Sequence, residues 1–349
     1  MWHNFGVIRM KKKITIGLFL AYILFCGFLF IKNKYITPKQ PSLQSEKVQK
    51  YQKLLGNAGL KGNLTIYKNG QRIWQYSTVG DANSSYLINS VQKELTGGLV
   101  MQAVSRGKLS LNDKINKFYP NVPNAQNISV LNLLEMTSGL DPAGPMGDAP
   151  YNNDDANAQK MIQDTHYNEQ NFGKWDYQDL DYILLSHILE KVSGQSYETL
   201  FDNMYVYPLK LKHTDFVWAD QQKLKEINFL PSGQNIDMNA IHSLLGAGSV
   251  AMSNDDLYKV SADLLNGKLL SAQNKAIIYA PGNNPSHYRG GLYTKGDYYE
   301  SNGNGCGYCN FLRISKDGKV AVILQSMDSS RYGDLSNAAD GIYADLFGK

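Results

Sequence analysis

Ser90 and Lys93 stand three residues apart in "LINSVQKELTGGLVMQAVSRGKLSL", Leu87 to Leu111, where a strand-like run gives way to a helical pattern. A serine that opens a helix lies beside free backbone N–H groups and the positive end of the dipole, and a residue one turn on shares its face. An amine in that place takes the serine's proton once burial lowers its pKa, which is the first step of acyl transfer. Taken alone, the pair reads more often as a helix cap beside a solvated lysine. Ser105 and Lys108 repeat the spacing, so spacing by itself does not choose a nucleophile.

Other chemistries find less support. The six histidines show no ligand spacing such as His-x-x-x-His, and no metal site is expected from them. No glycine-rich phosphate loop and no Gly-x-Ser-x-Gly elbow occurs. A net charge of +4 over 349 residues leaves no footprint for nucleic acid, which is excluded as a partner.

The elements that must position Ser90 are legible from periodicity. Val91 to Val104 and Asp181 to Val192 carry apolar residues at helical spacing, and Leu257 to Leu265 does so more briefly. "NLTIYKNGQRIWQY", Asn63 to Tyr76, predicts a hairpin around Asn-Gly, and "NFLRISKDGKVAVILQS", Asn310 to Ser326, predicts another around Asp-Gly. Strands at both ends with helices between predict an α+β domain whose terminal strands share one antiparallel sheet.

Ile14 to Ile31 holds 18 residues without a charge, and Arg9, Lys11, Lys12 and Lys13 precede it. That pattern predicts a transmembrane signal anchor over 14–31, with 1–13 cytoplasmic and the remainder outside the cell membrane. A cleaved signal peptide is the alternative, yet Phe28, Phe30 and Ile31 occupy the places where small residues are wanted. Met10 is an alternative start. Residues 32–50, polar and with two prolines, read as a linker, and 51–349 as the folded domain.

The order of blocks resembles the serine β-lactamase and penicillin-binding-protein superfamily, in its class C β-lactamase, esterase and D-alanyl carboxypeptidase branch. "INSVQKELTGGLVMQAVSRGKLSLNDKINKFYPN", "ISVLNLLEMTSGL", "LLSHILEKVSGQSYETLF", "YPLKLKHTDF" and "GAGSVAMSNDDLYKVSADLLNGKLLS" follow one another as that family's blocks do, between about Asn63 and Gly348. The resemblance implies a β-lactamase/transpeptidase-like α+β fold, an antiparallel sheet flanked by helices with an inserted helical lobe, and no cofactor. It selects Ser90 as nucleophile and Lys93 as its proton partner.

The family's second motif, Tyr-x-Asn, matches Tyr177, with Asp179 where asparagine is usual. An ionised carboxylate about 4 Å from Lys93 favours its ammonium by roughly 4 kcal/mol at an effective dielectric near 20, so Tyr177 becomes the better proton acceptor. The third motif, usually Lys-Thr-Gly or His-x-Gly, falls on Ser301-Asn302-Gly303: the glycine is kept and the cation is missing. The resemblance implies that Gly303 admits a substrate backbone and that the N–H groups of Ser90 and Asn304 form an oxyanion hole, while Asn302 and Asn304 also fit a turn. Arg289 and Lys295 are the nearby cations that would stand in for the lost one.

Cys306 and Cys309 stand beside this third motif. Outside the membrane such a pair closes a small disulfide; free thiols and a metal site are the other readings. The expectation is thus an extracytoplasmic serine hydrolase working through an acyl-enzyme on a cell-envelope substrate, with teichoic acid D-alanyl esters favoured by the lost cation. The alternatives are a D-alanyl-D-alanine carboxypeptidase or β-lactam-binding protein acting on a peptidoglycan stem peptide, and an inactive wall-binding or sensory pseudoenzyme.

Overall fold

The computed structural model describes residues 42–142, 153–235 and 240–347. The cytoplasmic and membrane-spanning segments expected over 1–13 and 14–31 lie outside the described residues. The chain is already helical from Ser45, in α1 (Ser45–Asn57), so the end of the stretch read as linker belongs to the folded domain. Its apolar stripe is narrow, with Tyr51 and Leu55 buried one turn apart, and its polar face is tied down: Lys47, Lys50 and Tyr51 all donate to Asp345.

Both predicted hairpins form. β1 (Gly62–Lys68) and β2 (Gln71–Ser77) turn around Asn69-Gly70, and the chain then crosses by β3 (Tyr86–Leu87) into α2 (Gln92–Ser105), α3 (Val130–Glu135) and the short pair β4 (Leu140–Pro142) and β5 (Thr165–Tyr167). After α4 (Asp179–Ser193), β6 (Thr214–Phe216), β7 (Val250–Met252) and α5 (Asn254–Leu265), the chain returns through β8 (Tyr288–Arg289), β9 (Leu292–Lys295), β10 (Tyr298–Gly305), β11 (Tyr308–Ser315) and β12 (Ala321–Ser326) to α6 (Tyr332–Phe347). The main sheet runs β2-β1-β12-β11-β10-β9-β8 with every pairing antiparallel, so the two ends of the domain share it.

Alternation along Ala321–Leu324 of β12 shows why that stretch is apolar throughout. Ala321 and Ile323 face the helical lobe with α2, α4 and α5, whereas Val322 and Leu324 face α1 and α6. Both faces of that stretch are covered by packed layers. The sheet is therefore the middle of three layers. The helical lobe is inserted between β2 and the return strands, and the segment carrying Ser90 lies where that lobe meets the sheet.

Candidate active site

Ser90 sits in a single 3-10 turn, Asn89–Val91, that runs straight into α2. The residue before it, Asn89, has φ +49, a left-handed conformation that asparagine tolerates better than most residues. Its side chain secures the corner: Nδ2 donates to the Gly305 carbonyl at 3.1 Å, and Asn310 Nδ2 donates to the Leu87 carbonyl at 3.0 Å. These contacts bind the Ser90 turn to the hairpin of β10 and β11. Nothing in the sequence reading singled out Asn89 or Asn310; the available signal was a left-handed-tolerant residue directly before the serine.

Lys93 is fully buried one turn below. Its Nζ donates to Ser90 Oγ at 3.0 Å, to Asp179 Oδ1 at 2.5 Å and to the Ala247 carbonyl at 3.0 Å, so all three of its hydrogens are used. Burial pushes the ammonium's pKa down, while Tyr177 and then Asp179 push it up by more, and the balance lies above the ordinary lysine value. The contact anticipated for Asp179 is present in the geometry: its carboxylate accepts from Lys93 Nζ and, after Tyr177, favours the charged form.

Tyr177 and Asp179 reach this point because of the block around α3. Ser129 and Asn132 form a capping box, with Asn132 N to Ser129 Oγ at 3.2 Å and Ser129 N to Asn132 Oδ1 at 2.9 Å. The loop that follows is pinned to α4 by Ser138 Oγ donating to the buried Asp181 Oδ1 at 2.6 Å, and by Tyr182 Oη donating to the Leu134 carbonyl at 3.0 Å. Asp179 is the first residue of α4, where the helix dipole favours a carboxylate. Lys93 Nζ stands 5.2 Å from the centre of the Tyr177 ring and 5.9 Å from that of Tyr182. Tyr177 remains 36% exposed, so the cleft opens past it.

The strand wall is built differently. Ser301 is buried and its hydroxyl donates to the Gly291 carbonyl at 3.1 Å, a contact inside the protein. Asn302 lies in β10, where its Oδ1 accepts from the buried Arg313 at 2.8 Å and its Nδ2 donates to Glu300 at 2.9 Å. Asn302 and Asn304 are strand residues, which removes the turn reading. The role expected for Gly303 also changes: a Cβ there would lie 2.2 Å from the Ile88 carbonyl, so the close approach it permits is that of the nucleophile segment itself. Gly291, at φ +89, does the same for α2, where a Cβ would meet Glu94 N at 2.0 Å.

β10 pairs with β11 along its length but with β9 only over Tyr298–Glu300, so its outer edge is open from Ser301 onward among the described residues. A two-residue turn, Cys306-Gly307 with φ +52 and +80, closes the hairpin and sets Gly305 against Tyr308 as its hydrogen-bonded end pair. Antiparallel pairs alternate, so the main-chain groups of Asn302 and Asn304 point to the open edge. That arrangement can offer an oxyanion a backbone N–H from each wall.

The disulfide expectation is not met: both thiols are free. Cys306 forms the turn and packs with the cluster around Tyr86 and Tyr308, whereas Cys309 is buried on the opposite face with Leu64, Phe311 and Leu324. Arg289 is likewise unavailable to a substrate, because its Nε and Nη2 hold Glu135 at 2.7 and 2.5 Å and its Nη1 the Ile277 carbonyl at 3.0 Å. Lys295 is exposed, its Nζ 5.7 Å from the Tyr293 ring centre.

A family model described as "Beta-lactamase" matches residues 48–341. The chain belongs to the beta-lactamase family. It is 28% identical to the putative penicillin-binding protein PbpX of Bacillus subtilis, over 88% of this chain and 81% of that one. It is also 28% identical to the teichoic acid D-alanine hydrolase of Staphylococcus aureus, over 84% and 77%. The crystal structure of FmtA from Staphylococcus aureus superposes with a TM-score of 0.76 at 24% identity, covering 92% of this chain and 95% of that one. With this family, a beta-lactamase fold and a serine paired to a buried lysine, the chain is a serine hydrolase.

Proposed function

We propose that this serine hydrolase removes D-alanyl esters from teichoic acid at the outer face of the cell membrane. The observation that carries the reading is the contrast between the walls of the cleft. Lys93 is held between Ser90 and Asp179, while the strand that would recognise a substrate carboxylate offers the buried hydroxyl of Ser301 and no cation. An ester of a neutral or cationic acyl group suits such a cleft better than a peptide ending in a free carboxylate. The relatedness to a teichoic acid D-alanine hydrolase supports the same substrate class.

In the reaction, Ser90 Oγ attacks the ester carbonyl carbon and its proton passes to Tyr177, or to Lys93 once that ammonium has given up a proton. The N–H groups of Ser90 and Asn304 hold the oxyanion, and the alcohol of the polymer leaves with a proton. Water then attacks the acyl-enzyme, releasing D-alanine and restoring Ser90. The apolar run 14–31 and the cations before it support a signal anchor with residues 1–13 inside the cell. The pairing of Arg289 with Glu135 counts against the carboxypeptidase alternative, which would depend on Lys295.

The test is release of D-alanine from D-alanylated lipoteichoic acid by the full-length chain in detergent. Release that disappears in Ser90→Ala is expected; no release by protein whose Ser90 still takes up an active-site probe would overturn the substrate class.

A further inference from the structure

Asp179 is used by only one of its oxygens. Oδ1 holds Lys93 at 2.5 Å, while Oδ2 accepts no hydrogen bond among the described residues and the side chain is 32% exposed. The carboxylate therefore faces two ways, inward to the buried ammonium and outward to the cleft. Ser90 Oγ and Asp179 Oδ1 share Lys93 Nζ, at 3.0 and 2.5 Å, so nucleophile and carboxylate lie no more than the sum of those distances apart.

An α-aminoacyl ester has the size to bridge that gap. Its ammonium nitrogen is two bonds from the carbonyl carbon, about 2.5 Å away through space, and the carbonyl carbon stands about 3 Å from the serine oxygen before attack. Tyr177, 36% exposed beside Lys93, adds an aromatic face that favours a cation at the same place.

We propose that the outward oxygen of Asp179 binds the α-ammonium of the acyl group, and that this contact activates Lys93. The inference rests on the reading of the substrate as a D-alanyl ester. A cation arriving at Oδ2 offsets the charge that holds Lys93 protonated, and it repels the ammonium directly. Lys93 then gives up its proton more readily and becomes a competent base, or lets Tyr177 act, only when the substrate carries the cation. Discrimination between aminoacyl and neutral acyl esters accordingly appears in kcat as well as in KM.

The experiment compares D-alanyl and D-lactyl esters of one fluorogenic alcohol, which differ at the α-position by ammonium against hydroxyl, using the full-length chain in detergent. The wild type is expected to favour the D-alanyl ester by roughly tenfold or more in kcat/KM beyond the ratio of their uncatalysed rates, as a charged hydrogen bond provides. Asp179→Asn keeps the shape and removes the charge, and is expected to bring that ratio to within about threefold of the uncatalysed one, with part of the change in kcat. Asp179→Glu, which keeps the charge, is expected to retain a preference for the D-alanyl ester.

A ratio unchanged in Asp179→Asn would overturn the inference while leaving the proposed function standing. An equal fall for both esters would also overturn it, by showing that Asp179 only positions Lys93. Hydrolysis of neither ester by wild-type protein would remove the proposed function and this inference with it. Covalent labelling of Ser90 by a fluorophosphonate in each variant confirms that the site is folded when the ratios are read.

Discussion

On the helix wall of the cleft, Ser90 and Asp179 each lie within hydrogen-bond reach of Lys93 between them; on the strand wall, Ser301 turns to the Gly291 carbonyl and Asn302 to Arg313 and Glu300. The first wall supplies titratable chemistry. The second supplies shape and main-chain groups, with Gly303 pressed against the Ile88 carbonyl. Substitutions of equal size should therefore act on different observables: rate and pH dependence on the helix wall, fold stability on the strand wall.

The largest effect is expected from Lys93→Met, which keeps the buried volume and removes the amine. It should lower kcat/KM by about a thousandfold, in the range that a positioned proton acceptor contributes. Steady-state kinetics on an ester substrate, with melting recorded alongside, checks it. A loss below tenfold would remove Lys93 from the chemistry.

Next is the pH profile. The proton on Lys93 must leave before it can act as base, and its pKa is raised, so kcat/KM should climb through the alkaline range. Asp179→Asn removes one of the charges that raise it, so the ascending limb should move toward neutral pH. A limb that stays in place would show that Lys93 is not the group titrating.

On the strand wall, Gly303→Ala should cost about 1–3 kcal/mol of stability, because the new Cβ meets backbone and not a flexible side chain. Denaturant unfolding measures it.

Glu94 sharpens the comparison from within one helix. It neighbours Lys93, is equally buried, and points away from the cleft to Ser261, whose hydroxyl donates to it at 2.7 Å. Burial pushes its carboxyl up to about 7, with the Ser261 bond a smaller opposing influence. Below the unfolded value both states hold the proton. As pH rises toward 7 the unfolded chain ionises first, so stability is lost over that interval. Glu94→Gln should therefore raise stability at pH 8 by on the order of 2 kcal/mol and leave it nearly unchanged at pH 4. Thermal melts at the two values decide it.

The smallest effect is expected from Ser301→Ala. It removes one buried hydrogen bond, about 1 kcal/mol, and should leave kcat/KM within roughly threefold of wild type. A large kinetic loss would return Ser301 to the substrate and dissolve the distinction between the walls.

What the sequence revealed and what it hid follow from range and periodicity. The two hairpins, α2 and the Ser90–Lys93 spacing are local patterns, and all are present as read. Tyr177 and Asp179 were placed by the order of blocks, since four closer matches to Tyr-x-Asn lie elsewhere in the chain. The fate of Ser301 depended on a carbonyl brought back by the turn at Gly290-Gly291, and that of Arg289 on Glu135, far away in sequence. Neither contact leaves a local signature. α1 escaped notice because Tyr51 and Leu55 alone mark its buried face. The separation of Cys306 from Cys309 was legible in principle: Cys-Gly between two strands is a turn, which sends the following cysteine to a packed face.

The central claim is that Ser90 is a working nucleophile served by Lys93. Intact mass spectrometry of the full-length chain after exposure to a fluorophosphonate tests it most directly, with Ser90→Ala and Lys93→Met alongside. One adduct is expected on the wild type, none on Ser90→Ala and a strongly slowed reaction on Lys93→Met. Folded wild-type protein that takes up no adduct, or an adduct that persists in Ser90→Ala, would contradict it.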